Sequence, residues 1–153
     1  MKITMFLKPG TIIEDLKAAT KEAVLEELAS VLPLTGRNEA RDEIIKVLMA
    51  REKLGSTGIG DGIAIPHGKF RHLDDLMISF GRSKKGVDFN ATDGKPVHLF
   101  FLLMAPENSA SQHLKVLARI SRLLKDEALR KKLMAAEFST ELYNIILEKD
   151  EAI

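Results

Sequence analysis

The chain has 153 residues, 45% of them hydrophobic and 29% charged, a length and balance that give one soluble globular domain spanning 1–153 with enough apolar mass for its own core. Lysine and arginine total 23 against 22 acidic residues, so no electrostatic bias points to a nucleic-acid partner. Cysteine is absent, which excludes disulfide frameworks, thiolate metal sites and cysteine nucleophiles.

The apolar run at residues 3–7 stops at Lys8 and Pro9. It is too short for a secretory leader or a membrane span, so a cytoplasmic location without membrane insertion is expected, and its secondary structure stays undecided. Thr20 precedes Val24, Leu25, Leu28, Val31 and Leu32, whose spacing predicts an amphipathic helix ending before Pro33. Asn38 is placed to cap a second helix with Ile44, Ile45, Val47 and Leu48 on its inner face, stopping at a left-handed Gly55.

Residues 55–68 read GSTGIGDGIAIPHG, which predicts a loop, a short extended piece at residues 63–65, and another loop. Residues 76–80 and 97–103 are rich in branched and aromatic side chains and predict buried strands, the second preceded by an Asp93-Gly94 turn. The basic runs at 82–85 and 130–132 fit a solvated loop and a solvated helix face. Ser109 and Gln112 have capping-box spacing ahead of a helix whose expected stripe is Leu114, Leu117, Ile120, Ser121 and Leu124, with Lys115, Arg119 and Arg122 outside. Leu129, Leu133 and Met134 predict a further helix, and Leu142, Ile145 and Ile146 a last one. Helices interleaved with buried strands indicate an α/β fold, a sheet covered by helices on both faces.

The glycine-rich stretch fails the standard nucleotide patterns. Five residues separate Gly62 from Gly68-Lys69 where a P-loop needs four, Phe70 stands where that motif needs Ser or Thr, and no glycine triplet matches G-x-G-x-x-G. Closely spaced glycines still allow backbone N–H groups to converge on an anion, with Ser56 and Thr57 adding hydroxyls, although a purely structural turn accounts for them equally well. His67, between Pro66 and Gly68, has a stiff backbone on one side and an unshielded one on the other. Its imidazole, mostly neutral at pH 7 at an ordinary pKa near 6.5, suits nucleophilic chemistry. His113, at the start of a helix, faces either a cleft or solvent. Arg51 offers either a charge at a helix C-terminus or a planar fork for phosphate oxygens. His72 and His98 carry no assigned role.

The run REKLGSTGIGDGIAIPHGK at residues 51–69 closely resembles the signature of type-2 IIA domains of the bacterial phosphoenolpyruvate-dependent phosphotransferase system, the mannitol, fructose and nitrogen-regulatory family. A second block, Asp93 to Val97, Ala105 to Glu107, His113-Leu114 and Leu117-Ala118, matches in the same order. The resemblance implies a single domain with a mixed β-sheet between two helix layers. It implies phosphorylation of His67 on Nε2 by the phosphocarrier protein HPr, with His113 and Arg51 in the same pocket and Ser56, Thr57, Gly58 and Gly68 as phosphate-pocket candidates. A IIB domain or a regulatory target protein would be the acceptor. No metal or other cofactor is implied, and no carboxylate cluster or closely spaced histidine motif suggests one.

Two other classes compete with the phosphotransfer reading: a binding module with a silent histidine, and a metal hydrolase using His67 and His113. Within the family, the ending Glu141-Leu142-Tyr143-Asn144-Ile145-Ile146 is similar to nitrogen-regulatory members. The chain also lacks the cysteine nucleophile of a mannitol- or fructose-type IIB domain and the spanning helices of a IIC domain. A regulatory phosphoryl carrier is therefore expected ahead of a IIA component of fructose- or mannitol-type sugar uptake.

Overall fold

A computed structural model describes residues 1–34 and 38–153. After a 3-10 turn at Ile3–Met5, the chain forms β1 (Leu7–Ile13), α1 (Lys21–Ser30), α2 (Asn38–Leu54), β2 (Gly58–Gly60), β3 (Ile63–Ala64), β4 (His67–Lys69), β5 (Met77–Val87), β6 (Val97–Ala105), α3 (Ala110–Leu124), α4 (Glu127–Ala135) and α5 (Ser139–Ala152). The strands form one mixed sheet in the order β1-β5-β6-β3-β2, with β4 also paired to β6. This is the expected α/β sandwich.

Strand β6 is its spine, antiparallel to β5 and parallel to β3 and β4. Its alternation divides the core. Leu99, Phe101 and Leu103 face a cluster containing Val116, Ile120, Leu133 and Ile146 from α3, α4 and α5, whereas Phe100, Leu102 and Met104 face Leu25, Leu28, Ile44 and Leu48 from α1 and α2. Each such fully buried side chain contributes about 1.5–3 kcal/mol of transfer free energy. The two helix layers are therefore held by the hydrophobic pattern of one strand. Among the described residues no helix is long and apolar enough to cross a membrane.

Several local expectations hold. Thr20 caps α1 by accepting the Ala23 N–H at 3.3 Å. The Asp93-Gly94 turn before β6 forms, with Gly94 at φ 71° donating its N–H to the Ala91 carbonyl at 2.9 Å. A second Asp-Gly turn, in a stretch expected to be loop, joins β2 to β3 with Asp61 and Gly62 at φ 57° and 77°. The capping role expected of Asn38 lies outside the described side chains.

Other expectations are corrected. The undecided N-terminal segment forms the 3-10 turn at Ile3–Met5 and enters β1 at Leu7, a strand that the sequence pattern does not reveal and whose pairing with β5 is interrupted between Leu7 and Ile12. Pro9 and Gly10 fall in that irregularity on an edge strand, where a missing N–H costs no ladder bond. Gly55, by contrast, does end α2 with the positive φ expected of its cap, at 154°. Strand β5 continues through the basic run at 82–85, and Arg82 is fully buried rather than solvated. It donates through Nε to the Glu14 carbonyl at 3.0 Å and through Nη1 to the carbonyls of Leu133, at 2.8 Å, and Ala136. The capping box before α3 does not form, because Ser109 donates its hydroxyl to the Pro106 carbonyl at 2.7 Å.

Candidate functional site

The region expected to hold a loop on either side of a short extended piece instead supplies three short strands, and His67 opens the last of them. Strands β3 and β4 lie in tandem along one edge of β6, with Ile63 opposite Leu99 and His67 opposite Leu103. Ile65 and Pro66 bridge the two. The Pro66 carbonyl accepts the Leu103 N–H at 3.0 Å, so the ladder continues across a residue that has no N–H to give.

This edge fixes the imidazole. His67 Nδ1 lies 2.8 Å from the Ile65 carbonyl oxygen. A carbonyl can only accept, so Nδ1 carries the proton and the neutral ring keeps its lone pair on Nε2. The His67 pKa is lowered, chiefly by burial. The Ile65 bond opposes that, Arg51 adds to it, and Glu52 opposes it. The ring is therefore neutral and nucleophilic at pH 7.

His113 meets it from α3. The ring centroids are 5.5 Å apart at an interplanar angle of 79°. The stripe expected for α3 holds at Ile120 and Leu124, with Leu117 packed against the core, but His113, Val116 and Leu123 complete the inner face and Leu114 is 67% exposed. This arrangement buries the His113 imidazole, and its Nε2 has no hydrogen-bond partner among the described residues. Burial, then the neighbouring His67 and Lys69, lower its pKa as well. Arg51, in the last turn of α2, donates through Nη1 to the Gly55 carbonyl at 2.8 Å, and its charge is felt at His67. The three residues singled out from sequence, His67, His113 and Arg51, thus belong to one electrostatic neighbourhood.

The glycine-rich loop behaves differently from an anion cradle. Ser56 donates its hydroxyl to the Phe89 carbonyl at 2.7 Å and accepts the Gly58 N–H at 3.0 Å. Thr57 is buried and donates both its N–H, at 3.1 Å, and its hydroxyl to Glu52. These donors of Ser56, Thr57 and Gly58 are committed inside the fold, which corrects their expected role at a phosphate. The glycines serve close packing. A Cβ on Gly58 would meet the Ala91 Cα at 2.9 Å, and one on Gly68 would meet Val47 Cγ1 at 2.8 Å. Gly68 thus lets β4 lie against α2. Sequence reasoning passed over Glu52, which stands beside Arg51 as one more charged helix residue. Only its burial, at 6% exposure, marks it out. His72 is exposed, and His98 Nδ1 contacts the Ser83 carbonyl at 2.8 Å. Among the described residues no group of three or more His, Asp or Glu side chains is arranged to hold a metal ion.

Comparison with known proteins decides the family. The family description "Phosphoenolpyruvate-dependent sugar phosphotransferase system, EIIA 2" matches residues 5–149. The chain belongs to this family. It is a type-2 IIA phosphoryl carrier. It is 44% identical over 147 residues to a nitrogen regulatory protein of Bradyrhizobium diazoefficiens, covering 95% of each chain. It is 41% identical to the fructose-specific EIIABC component of Bacillus subtilis, covering 99% of this chain and 24% of that longer one. The crystal structure of the nitrogen regulatory protein IIA-Ntr from Neisseria meningitidis superimposes with a TM-score of 0.87 at 34% identity, covering 94% of this chain and 98% of that one.

Proposed function

We propose that His67 Nε2 is the atom that carries the phosphoryl group, received from a phosphorylated histidine of the phosphocarrier protein HPr. The observation that supports this most directly is the Nδ1 to Ile65 contact, which leaves Nε2 as the only ring atom with a free lone pair. In the transfer, the Nε2–P bond forms as the donor's P–N bond breaks, and the proton stays on Nδ1. Positioning and electrostatic stabilisation of the equatorial oxygens supply most of the catalysis in such reactions. The donors assigned to this task are Arg51, whose charge acts on His67, and His113, whose ring lies 5.5 Å from that of His67 with an unpartnered nitrogen. A protein-sized donor also needs a surface to dock on. Leu54, 86% exposed and one turn beyond Arg51, and Leu114, beside His113, provide apolar contacts at the site's rim. Labelling with phosphorylated HPr, followed by mapping of the phosphorylated nitrogen, tests the assignment; label on any residue but His67 refutes it.

The physiological role we infer is regulatory, of the nitrogen type, with phosphorylation changing affinity for a target protein. The similarity to the nitrogen regulatory protein runs along 95% of both chains, and roughly two negative charges added beside an apolar docking surface alter such contacts strongly. Sugar uptake is the second reading, favoured by the 41% identity to the fructose component. Offering the phosphorylated protein to the IIB domains of the same cell separates them. Rapid transfer to one IIB, with loss of uptake of one sugar in a deletion strain, would establish the second.

A further inference from the structure

Three hydrogen-bonded links, joined through the backbones of Thr57 and Ile65, connect a buried carboxylate on α2 to the imidazole of His67. Glu52 Oε1 accepts the Thr57 N–H at 3.1 Å and lies 3.1 Å from Lys21 Nζ, while Oε2 accepts the Thr57 hydroxyl. The Thr57 carbonyl accepts the Ile65 N–H at 3.1 Å. The Ile65 carbonyl accepts His67 Nδ1–H at 2.8 Å. Lys21 is itself held 4.7 Å from the centroid of the Phe89 ring. Burying a carboxylate is unfavourable unless donors and a counter-ion satisfy it, and an apolar contact between α2 and the loop would need neither.

We propose that Glu52 is a positioning residue for phosphoryl transfer: through Thr57 and Ile65 it holds His67 in the tautomer that turns Nδ1–H inward and the Nε2 lone pair outward. The proposal rests on Nε2 of His67 being the acceptor. It assigns Glu52 a task like that of the carboxylate behind a catalytic histidine, which fixes tautomer and orientation and stabilises the charge that the ring acquires. When phosphorus joins Nε2 while Nδ1 keeps its proton, the ring becomes cationic. The charges felt at His67 are Arg51 and Glu52 from α2; His113 from α3 packs against its ring and itself feels His67 and Lys69. Glu52 is the anion in that set, and its field raises the His67 pKa against the larger lowering by burial.

The test uses the whole protein, with Glu52→Gln as the main variant and Thr57→Val, which removes only the hydroxyl link, as the milder one. The tautomer and pKa of His67 are read from its ring ¹⁵N shifts against pH, without any phosphoryl donor. In the wild type the Nδ1–H form dominates above the pKa. In Glu52→Gln the Nε2–H form gains population, the pKa falls, and phosphorylation slows by about 10-fold or more, the usual scale for loss of an outer-shell partner. Thr57→Val changes in the same direction by less, and decides the matter if Glu52→Gln does not fold. Wild-type ring shifts in a folded Glu52→Gln variant, or in Thr57→Val should that be the only folded one, overturn the proposal. A purely structural role predicts that outcome, with a lowered melting temperature alone. Failure of wild-type His67 to take phosphate is a separate result: it removes the acceptor assignment without altering the ring shifts.

Discussion

Two buried polar centres of this fold differ in how completely they are satisfied. Asp150 is fully buried, and its Oδ2 accepts the Thr4 N–H and hydroxyl, each at 3.0 Å, while its Oδ1 takes Arg119 Nε at 2.6 Å. Arg119 Nη2 also donates to the Asp150 backbone carbonyl. The centre ties the N-terminal turn, α3 and α5 together with acceptors and donors matched. At the other centre, His113 is nearly as buried, yet its Nε2 is unpartnered, and its ring lies 5.5 Å from that of His67, whose Nδ1 is engaged by the Ile65 carbonyl. A saturated centre can only hold the structure together; an unsaturated one can receive a group. Burial of a polar side chain therefore does not by itself indicate function, and unused hydrogen-bonding capacity is the better guide.

The strongest test of this contrast is His67→Ala, which should abolish phosphorylation while leaving the melting temperature close to wild type, since the residue is only partly buried and sits on a short strand. Intact mass after incubation with the donor system decides it, and a mass gain of one phosphoryl group in the variant would contradict it. Next, His113→Ala and Arg51→Ala should each slow transfer by about 10²–10³-fold, the scale of losing one preorganised donor. Rapid-quench kinetics measure this, and wild-type rates in both would remove the two residues from the site.

At the saturated centre, Asp150→Asn should cost about 3 kcal/mol, the range for breaking one side of a buried ion pair, with no change in the phosphorylation rate of the folded protein. Denaturant melts and the same kinetic assay separate the two effects. A slowed rate without lost stability would mean that this centre also serves transfer.

The smallest expected effect is on pH dependence. His67 and His113 both have pKa values lowered by burial. Their unfolded counterparts bind protons near pH 6.5, so stability is fully present above that pH and is lost as pH falls toward the lowered folded values. Burial raises the Asp150 pKa, but Arg119, the backbone N–H groups of Thr4 and Ile3 and the Thr4 hydroxyl outweigh it and leave the carboxyl below its usual range. Its contribution disappears only at more acid pH. The melting temperature should therefore fall in two steps as pH drops, and His67→Ala and His113→Ala should each flatten the first. A flat profile between pH 7.5 and 5 in the wild type would contradict the histidine assignment.

Much of this was legible in the residues themselves. The Thr20 cap, the apolar periods of α1, α2, α4 and α5, and the aromatic and branched run of β6 are local signals, and the structure realises them. The A-I-P-H-G run marked His67 through its resemblance to the type-2 IIA signature; the flanking proline and glycine by themselves fit a silent histidine as well. The misses share a cause. Pro9 and Gly10 broke the alternation of β1, whose strand identity comes from its partner β5. Leu114 and His113 exchanged places because a helix with apolar residues at many positions has an ambiguous inner face until a sheet packs on it. Arg82 read as solvated because the carbonyls that hold it, at Glu14, Leu133 and Ala136, lie more than fifty residues away in the chain.

The same distinction divides the site. By its sequence alone this chain determines which chemistry is available: no thiol, one histidine at the end of a glycine-rich stretch, a second histidine at a helix start, and an arginine closing a helix. Tertiary structure decides which of those atoms are still free to act. Ser56, Thr57 and Gly58 look like donors in one dimension, but Phe89, Glu52 and Ser56 Oγ take up those donors in three. His113 resembles a surface residue until α3 rotates it under His67. Hydrogen-bonding capacity is consumed by whatever the fold brings within about 3 Å, and most of those neighbours are distant in sequence.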